Sequence, residues 1–507
     1  MRPRRLTDLG ALIGARLEGG DREVRGVSLS SADIADGDLY AALPGANAHG
    51  ASFAGDAIAA GAVAVLTDAA GALLLDQADV PGPRLLVEQP RSVVGHLAAH
   101  LYGTTDLPLR MIGITGTNGK TTTAYLVNSA LVALGHTTGL VGTVETRIGA
   151  ERVRSVRTTP EATVLHALLA LMAERGVDSC VMEVSSHALA QHRVDGVVYD
   201  VALFTNLSQD HLDFHPTMRD YFLAKASLFT PERARRGIVC VDDEWGAELA
   251  QLASIPVVTV SSTDREATYR VRVDDNDHSA FTLIGDGVEL ALRSALPGDF
   301  NVMNTAMAGL ALLLSGTHPD RVESALAADP HVPGRMERVR ASGRGDLPLV
   351  VVDYAHTPDA VSAALQALRP ATSGRLVVVL GAGGDGDRGK RAAMGAAAAR
   401  YADEVFVTDD NPRSEEPAEI RSAVLAGARA VGGAAGLHDV AGRAAAIRAA
   451  VVAAHDSGPG SVVAVVGKGH ETGQDVAGTV HPFDDREEVR AALESLPERT
   501  PREGTTK

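Results

Sequence analysis

Apolar and polar positions in this chain follow two alternating periods, one of helices and one of strands. In the first hundred residues the helical spacing of FAGDAIAA is followed by GAVAVLTD, an apolar run that predicts a buried strand. From about 110 to 333, helical patterns such as EATVLHALLALMAERG alternate with the apolar runs CVMEV and DVALFTNL. That is the pattern of a mostly parallel sheet with crossover helices. Pro333, Gly334 and Arg335 then break the rhythm. Beyond them PLVVVDYAHTPDA, GRLVVVLGAGGDGDRGKR, YADEVFVTDDNPR and SVVAVVGKGHETGQ form four strand-then-turn units separated by Ala-rich helical stretches, which predicts a second doubly wound sheet. The expected fold is α/β with three domains: a small α/β domain over 1–105, a central domain over 106–333, and a Rossmann-like domain over 334–495. A disordered tail is expected over 496–507.

The central domain is organised around MIGITGTNGKTTT, residues 111–123. An apolar strand end leads into a turn made of Gly113, Thr115, Gly116, Thr117, Asn118, Gly119, Lys120, Thr121 and Thr122, which predicts a phosphate cradle opening a helix. Glycines let successive backbone N–H groups face one anion, a lysine meets the terminal phosphates, and a hydroxyl bears on Mg²⁺. ATP or GTP is the implied ligand. The general P-loop spacing is not met, because the position five before Gly119 is Ile114. The plain alternative is a Gly-rich turn between a strand and a helix. The shorter spacing resembles that of the Mur ligase and folylpolyglutamate synthase superfamily, whose members form amide bonds at the expense of ATP.

Other strand ends deliver polar groups toward the same sheet edge, where ligands of open α/β sheets bind. Glu183, followed by Ser185, Ser186 and His187, ends one strand; Asp210, His211 and Asp213 follow another. Glu183 with Thr121 suits Mg²⁺, a hard cation that prefers oxygen donors. Its plain alternative is a cap for the helix begun by SSHAL. His211 within DHLD reads as a second metal ligand or a base, whereas a lone histidine is more often simply hydrogen-bonded in the fold. Lys225 reads from pattern alone as a solvated lysine on an amphipathic helix. The glycine string GAGGDGDRGK is weak evidence for a dinucleotide site, since its carboxylates repel a pyrophosphate. The turn GANAHG is a candidate ligand loop or an ordinary surface turn.

Composition narrows the partners. The 507 residues carry a net charge of −17, which argues against a nucleic-acid or anionic-membrane surface. Two cysteines, Cys180 and Cys240, fit a reducing cytoplasm and cannot build a disulfide framework. The basic head MRPRR is followed by no clean apolar run before Arg16 and Glu18, so no signal peptide is expected. No stretch approaches the ~20 apolar residues of a membrane span. A cytoplasmic monomer acting on small molecules is the expectation.

The segments EVSSHAL, FTNLSQDHLDFHPTMRDYFLAKASLF, PGRMER, VDYAHTPDA, TDDNPR, GKGHETGQ and PFDDRE occur in order over residues 25 to 490. In that order they resemble the UDP-N-acetylmuramoyl-tripeptide synthetases, the Mur ligases that add the third amino acid of the peptidoglycan stem. The resemblance implies ATP and Mg²⁺ as cofactors, and a muramoyl dipeptide substrate activated as an acyl phosphate before diaminopimelate attacks it. It places Lys120 and Thr121 on the phosphates, Thr121 and Glu183 on one Mg²⁺, and His211 with a carbamylated Lys225 on a second. Asn301 and Asn304 resemble the asparagines near the adenine, and Asp353 and His356 resemble residues close to the nucleotide. Leu29, Ser31, Ala46, Asn47 and Ala48 resemble a uridine site. Thr158, Thr159, Ser185, Gln191 and Arg193 resemble the dipeptide site. Asp410, Asn411, Pro412, Arg413, Gly467 and Glu471 are implied to hold diaminopimelate, with Arg413 meeting its distal carboxylate bidentately.

Two departures qualify the match. Ser30, Ser31 and Ala32 stand where the family commonly reads Asp-Ser-Arg, which removes one substrate-binding charge. Gly386 stands where the family commonly has a carboxylate-binding arginine, so Arg388 is the candidate replacement. A lysine-adding ligase, a folylpolyglutamate synthase, a P-loop switch and a non-catalytic binding homologue remain as alternatives at this stage.

Overall fold

The computed structural model describes residues 3–328, 330–341 and 347–497. Three sheets dominate the described residues. The amino-terminal sheet has five strands in the order Arg16–Glu18, Arg84–Leu86, Ala64–Thr67, Asp38–Ala41, Gly26–Ser28. The first pairing is antiparallel and the rest are parallel. Helix Pro90–Tyr102 covers one face, burying Val94, Leu97, Ala98 and Leu101, and stops at Gly103, whose φ of 67° is the left-handed conformation that closes helices.

The central sheet has eleven strands. Its middle is parallel: Thr138–Val141, Ser179–Glu183, Arg110–Thr115, Val201–Phe204, Gly237–Cys240, Val257–Ser261 and Tyr269–Val273 lie side by side. Runs such as SCVME and VALF are buried at every position, as strands covered on both faces by helices must be. Both edges are antiparallel. One is the hairpin Glu145–Ile148 and Glu151–Arg154; the other continues through Ala280–Gly285 and Val288–Arg293. Where the sheet turns antiparallel the pattern alternates, Tyr269–Val273 burying Tyr269 and Val271 while Arg270 and Arg272 face out. Register brings the functional strand ends level, Glu183 lying opposite Ile114 and Phe204 opposite Thr115. The phosphate turn, the Glu183 end and the TNLSQDH segment therefore leave the sheet on one edge.

The carboxy-terminal sheet has six strands in the order Glu337–Val339, Leu349–Asp353, Val462–Val466, Leu376–Leu380, Glu404–Val407, Gly436–Asp439. All its pairings are parallel except that of Glu337–Val339. A separate hairpin, Gly473–Val476 with Thr479–Pro482, stands beside its carboxyl edge. The last helix, Asp485–Glu494, packs Val489 and Leu493 into this core together with Leu496. Leu496 is buried, so the expected tail began too early; residues 498–507 lie outside the described residues. Among the described residues no helix is long and apolar enough to cross a membrane.

Candidate active site

The phosphate turn is strapped from outside. Thr117 N donates to Asn206 O at 2.9 Å, Asn118 N to Asn206 Oδ1 at 2.9 Å, and Thr205 Oγ1 to Asn118 O at 2.6 Å. Helix Lys120–Ala133 then begins with Gly119 at φ 86°, where a Cβ would lie 2.5 Å from Asn304 Oδ1. Glycine is thus required both by conformation and by close approach. Gly113 lies not in the turn but inside the strand, where a Cβ would strike the Tyr199 ring at 2.7 Å, so packing alone calls for glycine there. Thr115 ends the same strand with its hydroxyl buried and unpaired.

Two ammonium groups converge on the carbonyls of this turn. Lys120 Nζ donates to Gly116 O and Thr117 O, each at 2.9 Å, and Lys225 Nζ donates to Gly116 O at 2.8 Å. Lys225 is 1 % exposed and stands 4.5 Å from the Tyr221 ring centroid. It is therefore not the solvated lysine its helical pattern suggested. Burial, reinforced by the charge of Lys120, drives its pKa well below the ordinary lysine value. Burial lowers Lys120 as well, with Glu183 opposing the shift.

Glu183 is buried and accepts from Thr121 Oγ1 at 2.9 Å, Thr143 Oγ1 at 3.0 Å and Thr143 N at 2.8 Å. It does not cap the following helix; Ser185 does, its hydroxyl accepting from Ala188 N at 3.2 Å. Thr159 Oγ1 donates to Glu183 O at 2.8 Å and accepts from Ser185 N at 3.1 Å, while Thr158 Oγ1 lies 3.1 Å from Thr143 Oγ1. A buried carboxylate bonded only to hydroxyls and an amide, beside a threonine hydroxyl, fits a hard divalent cation. Among the described residues no group of three or more His, Cys, Asp or Glu side chains is arranged to hold a metal.

Asp210 ties the two large sheets together. Its buried carboxylate meets His211 Nε2 at 3.5 Å from the central domain, and His356 Nε2 at 3.6 Å and Lys390 Nζ at 3.3 Å from the carboxy-terminal one. Burial raises the Asp210 carboxyl, but these three groups outweigh it and hold the pKa far below the ordinary range. Burial presses His211 down to about 3, against the pull of Asp210. His211 therefore carries a free lone pair at neutral pH. Its φ is 55°, and its ring packs edge-on to His187 at 4.8 Å.

A cavity of about 370 Å³ lies between the sheets, lined by Asn118, Gly119, Thr122, Asn301, Asn304, Asp353 and Phe300. Asn301 and Asn304 are fixed by a chain of bonds, Asn304 Nδ2 to Asn301 Oδ1 at 3.1 Å and Asn301 Nδ2 to Pro297 O at 2.8 Å. Asp353 accepts from Met336 N at 2.7 Å and Ala355 N at 2.8 Å, organising the strand end rather than reaching out. Arg335, which pattern reading treated only as punctuation, crosses from the domain junction. Its Nη2 donates to Thr121 Oγ1 at 3.1 Å and its guanidinium lies 4.4 Å from the Tyr354 ring centroid.

A second cavity, about 300 Å³, brings His187, Asp210 and His211 together with Asp410, Asn411, Arg413, Gly467 and Glu471. Arg413, at φ 52°, donates Nη1 to Gly384 O at 2.7 Å and makes no pair with Glu415. Arg391 takes both oxygens of Glu415, at 2.8 and 3.0 Å. Arg388 reaches the same carboxylate at 3.2 Å, is 73 % exposed, and does not line the cavity, although Gly386 does. Arg388 thus stands at the rim beside Glu415 and does not occupy the place of the missing arginine at Gly386. Lys468, Lys390 and Arg335 are the residues pattern reading missed. Lys468 follows an apolar run within a glycine-rich turn, the same signal that marked Lys120.

A third cavity, about 690 Å³, opens between the hairpin edge at Glu145, Arg152 and Thr158 and the carboxy-terminal turn at Arg413 and Glu471. Gln191 and Arg193 lie farther along the central domain, joined to one another at 2.6 Å. Arg193 pairs with Glu161 at 2.9 Å, and Arg91 reaches Glu161 at 3.3 Å from the amino-terminal domain. Leu29, Ser31 and the exposed loop Ala46, Asn47, Ala48 sit on the amino-terminal sheet, apart from these cavities. A larger hollow of about 720 Å³ lies at the opposite ends of the central strands, beside Arg110 and Ser179. It holds none of these groups and lies at the amino ends of the strands, away from where such sheets bind ligands.

Comparison with known proteins agrees with this layout. Residues 23–102 match the model of the Mur ligase family, catalytic domain; residues 114–312 match the Mur ligase middle domain; and residues 334–469 match the Mur ligase, glutamate ligase domain. The chain belongs to the Mur ligase family of enzymes. It is 52 % identical over 501 residues, 96 % of each chain, to a Streptomyces avermitilis protein named UDP-N-acetylmuramoyl-L-alanyl-D-glutamate--2,6-diaminopimelate ligase. It is 47 % identical over 504 residues to a protein of that name from Corynebacterium efficiens, covering 96 % of this chain and 94 % of that one. A solved structure bearing the same enzyme name is 32 % identical, with a TM-score of 0.63 over 94 % of this chain and 95 % of that one.

Proposed function

We propose that this enzyme joins an amine of diaminopimelate to the γ-carboxylate of D-glutamate in UDP-N-acetylmuramoyl-L-Ala-D-Glu, using ATP, in peptidoglycan precursor synthesis. The observation that carries the reading is the 300 Å³ cavity, which places the groups beside the phosphate turn and the Asp410–Arg413 turn on one enclosed space. The same reading takes 1–105, 106–333 and 334–495 as the units for the uridine substrate, ATP and the amino acid. Both cysteines are free and buried, which fits the cytoplasm.

The reaction has two displacements. A carboxylate oxygen attacks the γ-phosphorus of ATP and ADP leaves; a neutral amine then attacks the acyl carbon, phosphate leaves, and the nitrogen sheds a proton. Lys120 releases its two carbonyl partners to meet the γ-phosphate, and the N–H groups of the turn cradle the others. Thr121 and Glu183 would hold one Mg²⁺, and His211 with carbamylated Lys225 a second. Bound there, Mg²⁺ supplies charge stabilisation for the transferring phosphoryl group. The depressed pKa of Lys225 favours the carbamate, since carbamylation requires the neutral amine. Arg335 adds positive charge beside Thr121. Asn301 and Asn304 line the adenine end, Thr158, Thr159 and Ser185 position the glutamyl carboxylate, and Arg413, Asn411 and Glu471 orient the acceptor. Enclosure between the sheets protects the acyl phosphate from water.

The test is phosphate release from ATP with and without UDP-N-acetylmuramoyl-L-Ala-D-Glu and diaminopimelate. Release that needs both supports the ligase. Release stimulated by a folate substrate, by neither substrate, or equally by lysine and diaminopimelate would each overturn a stated part of the proposal.

A further inference from the structure

Lys468 is a cation with no exposed surface, and its partners are all side chains of the acceptor cavity. Its Nζ donates to Asn411 Oδ1 at 2.9 Å and to Glu471 Oε2 at 2.9 Å, and lies 3.8 Å from Asp410 Oδ1. Asn411 Nδ2 also donates to Glu471 Oε2, at 2.8 Å. Both bonds to the Glu471 carboxylate therefore land on one oxygen. The other oxygen is left for a donor in the cavity, which Glu471, 31 % exposed, lines.

The backbone around this triad is held by other means. Arg443, fully buried, forms a two-bond pair with Asp485 at 2.7 Å and donates Nη2 to Val466 O at 3.0 Å. Gln474 Nε2 donates to Asp410 O at 2.6 Å, and Arg413 N to Asp475 O at 3.0 Å. The segment PFDDRE thus anchors the turns through Asp485, leaving Lys468 to act on side-chain orientation.

We propose that Lys468 is a positioning residue for acceptor recognition: it aims the free oxygen of Glu471 at the ammonium that diaminopimelate keeps after its other amine is acylated. The inference rests on the function proposed above. It is tested by comparing diaminopimelate with 2-aminopimelate, which lacks that second amine, in the full-length enzyme. The unaltered enzyme prefers diaminopimelate in kcat/KM by ~10⁴-fold, the scale at which a site built for a polar group rejects an analogue lacking it. In Lys468→Met that preference falls by ~30-fold or more, as expected when one partner of a buried charged network is removed. KM for ATP is unchanged. Lys468→Gln, which keeps one donor and guards against misfolding of the methionine variant, gives an intermediate preference. A preference that survives in both variants while KM rises equally for the two acceptors overturns the positioning role and leaves the ligase reading intact. Absence of diaminopimelate-dependent turnover in the unaltered enzyme overturns both.

Discussion

The phosphate turn and the acceptor pocket treat buried charge in opposite ways. At the turn, Lys120 and Lys225 give their hydrogen bonds to the peptide carbonyls of Gly116 and Thr117. In the carboxy-terminal sheet, Arg391, Arg443 and Lys468 each close on a carboxylate, that of Glu415, Asp485 or Glu471. Desolvated charge without a counter-ion is costly, and the lowered pKa values of both lysines are its signature. At the turn the two ammonium groups have only peptide carbonyls as hydrogen-bond acceptors among the described residues. At the other site, each of Arg391, Arg443 and Lys468 already has a carboxylate partner.

The sharpest way to break this contrast is stability. Arg443→Met strands Asp485 and is expected to lower unfolding free energy by about 3–5 kcal/mol, the cost of breaking a buried pair from one side. Lys120→Met, removing a charge that has no carboxylate bonded to it, is expected to leave stability unchanged or raised. Denaturant titration of the two variants decides it; equal losses would dissolve the distinction. Next in size is activity: Lys120→Met and Lys225→Met are each expected to lose ~10²-fold or more in acceptor-dependent phosphate release, the scale of one preorganised electrostatic contact. Intact-mass analysis of the unaltered enzyme under bicarbonate, against Lys225→Met, checks for the carbamate. Arg413→Ala comes third, raising KM for diaminopimelate by ~10-fold or more while sparing KM for ATP, because a charge-assisted bond to the ligand is lost. Smallest is Arg388→Ala, expected to change every kinetic constant by less than about twofold, since an exposed ion pair to an already satisfied carboxylate contributes little. A large effect there would restore Arg388 to the pocket.

Local grammar made much of this legible. Apolar runs marked the parallel strands, and GTNGK marked the cradle, because these depend on neighbours in sequence. The edge hairpins were not anticipated, although the YRVRV alternation was present, because the longer helical rhythm dominated the reading. The packing reason for Gly113 is tertiary: the Tyr199 ring that needs the space comes from the segment before strand Val201–Phe204. Glu183 had two readings that spacing could not separate, and Lys225 read as a solvated lysine. That Ser185 rather than Glu183 caps the helix, and that Lys225 is buried, are tertiary facts not written in a local window. The fate of Arg388 turned on competition for Glu415 with Arg391, which only the packed helix end reveals.

The junction between the two large sheets has a mechanical consequence. Gly334 has φ 63°, and a Cβ there would fall 2.0 Å from His470 N, so the connector lies flush against the acceptor turn with no slack. The next residue, Arg335, touches Thr121 at the head of the phosphate helix. The connector is therefore a close-fitting joint: one residue bears on the Gly469–His470 turn and the next on the head of helix Lys120–Ala133. A methyl group at position 334 is expected to work as a wedge in that joint, forcing apart the turn at Gly469–His470 and the segment that carries Arg335.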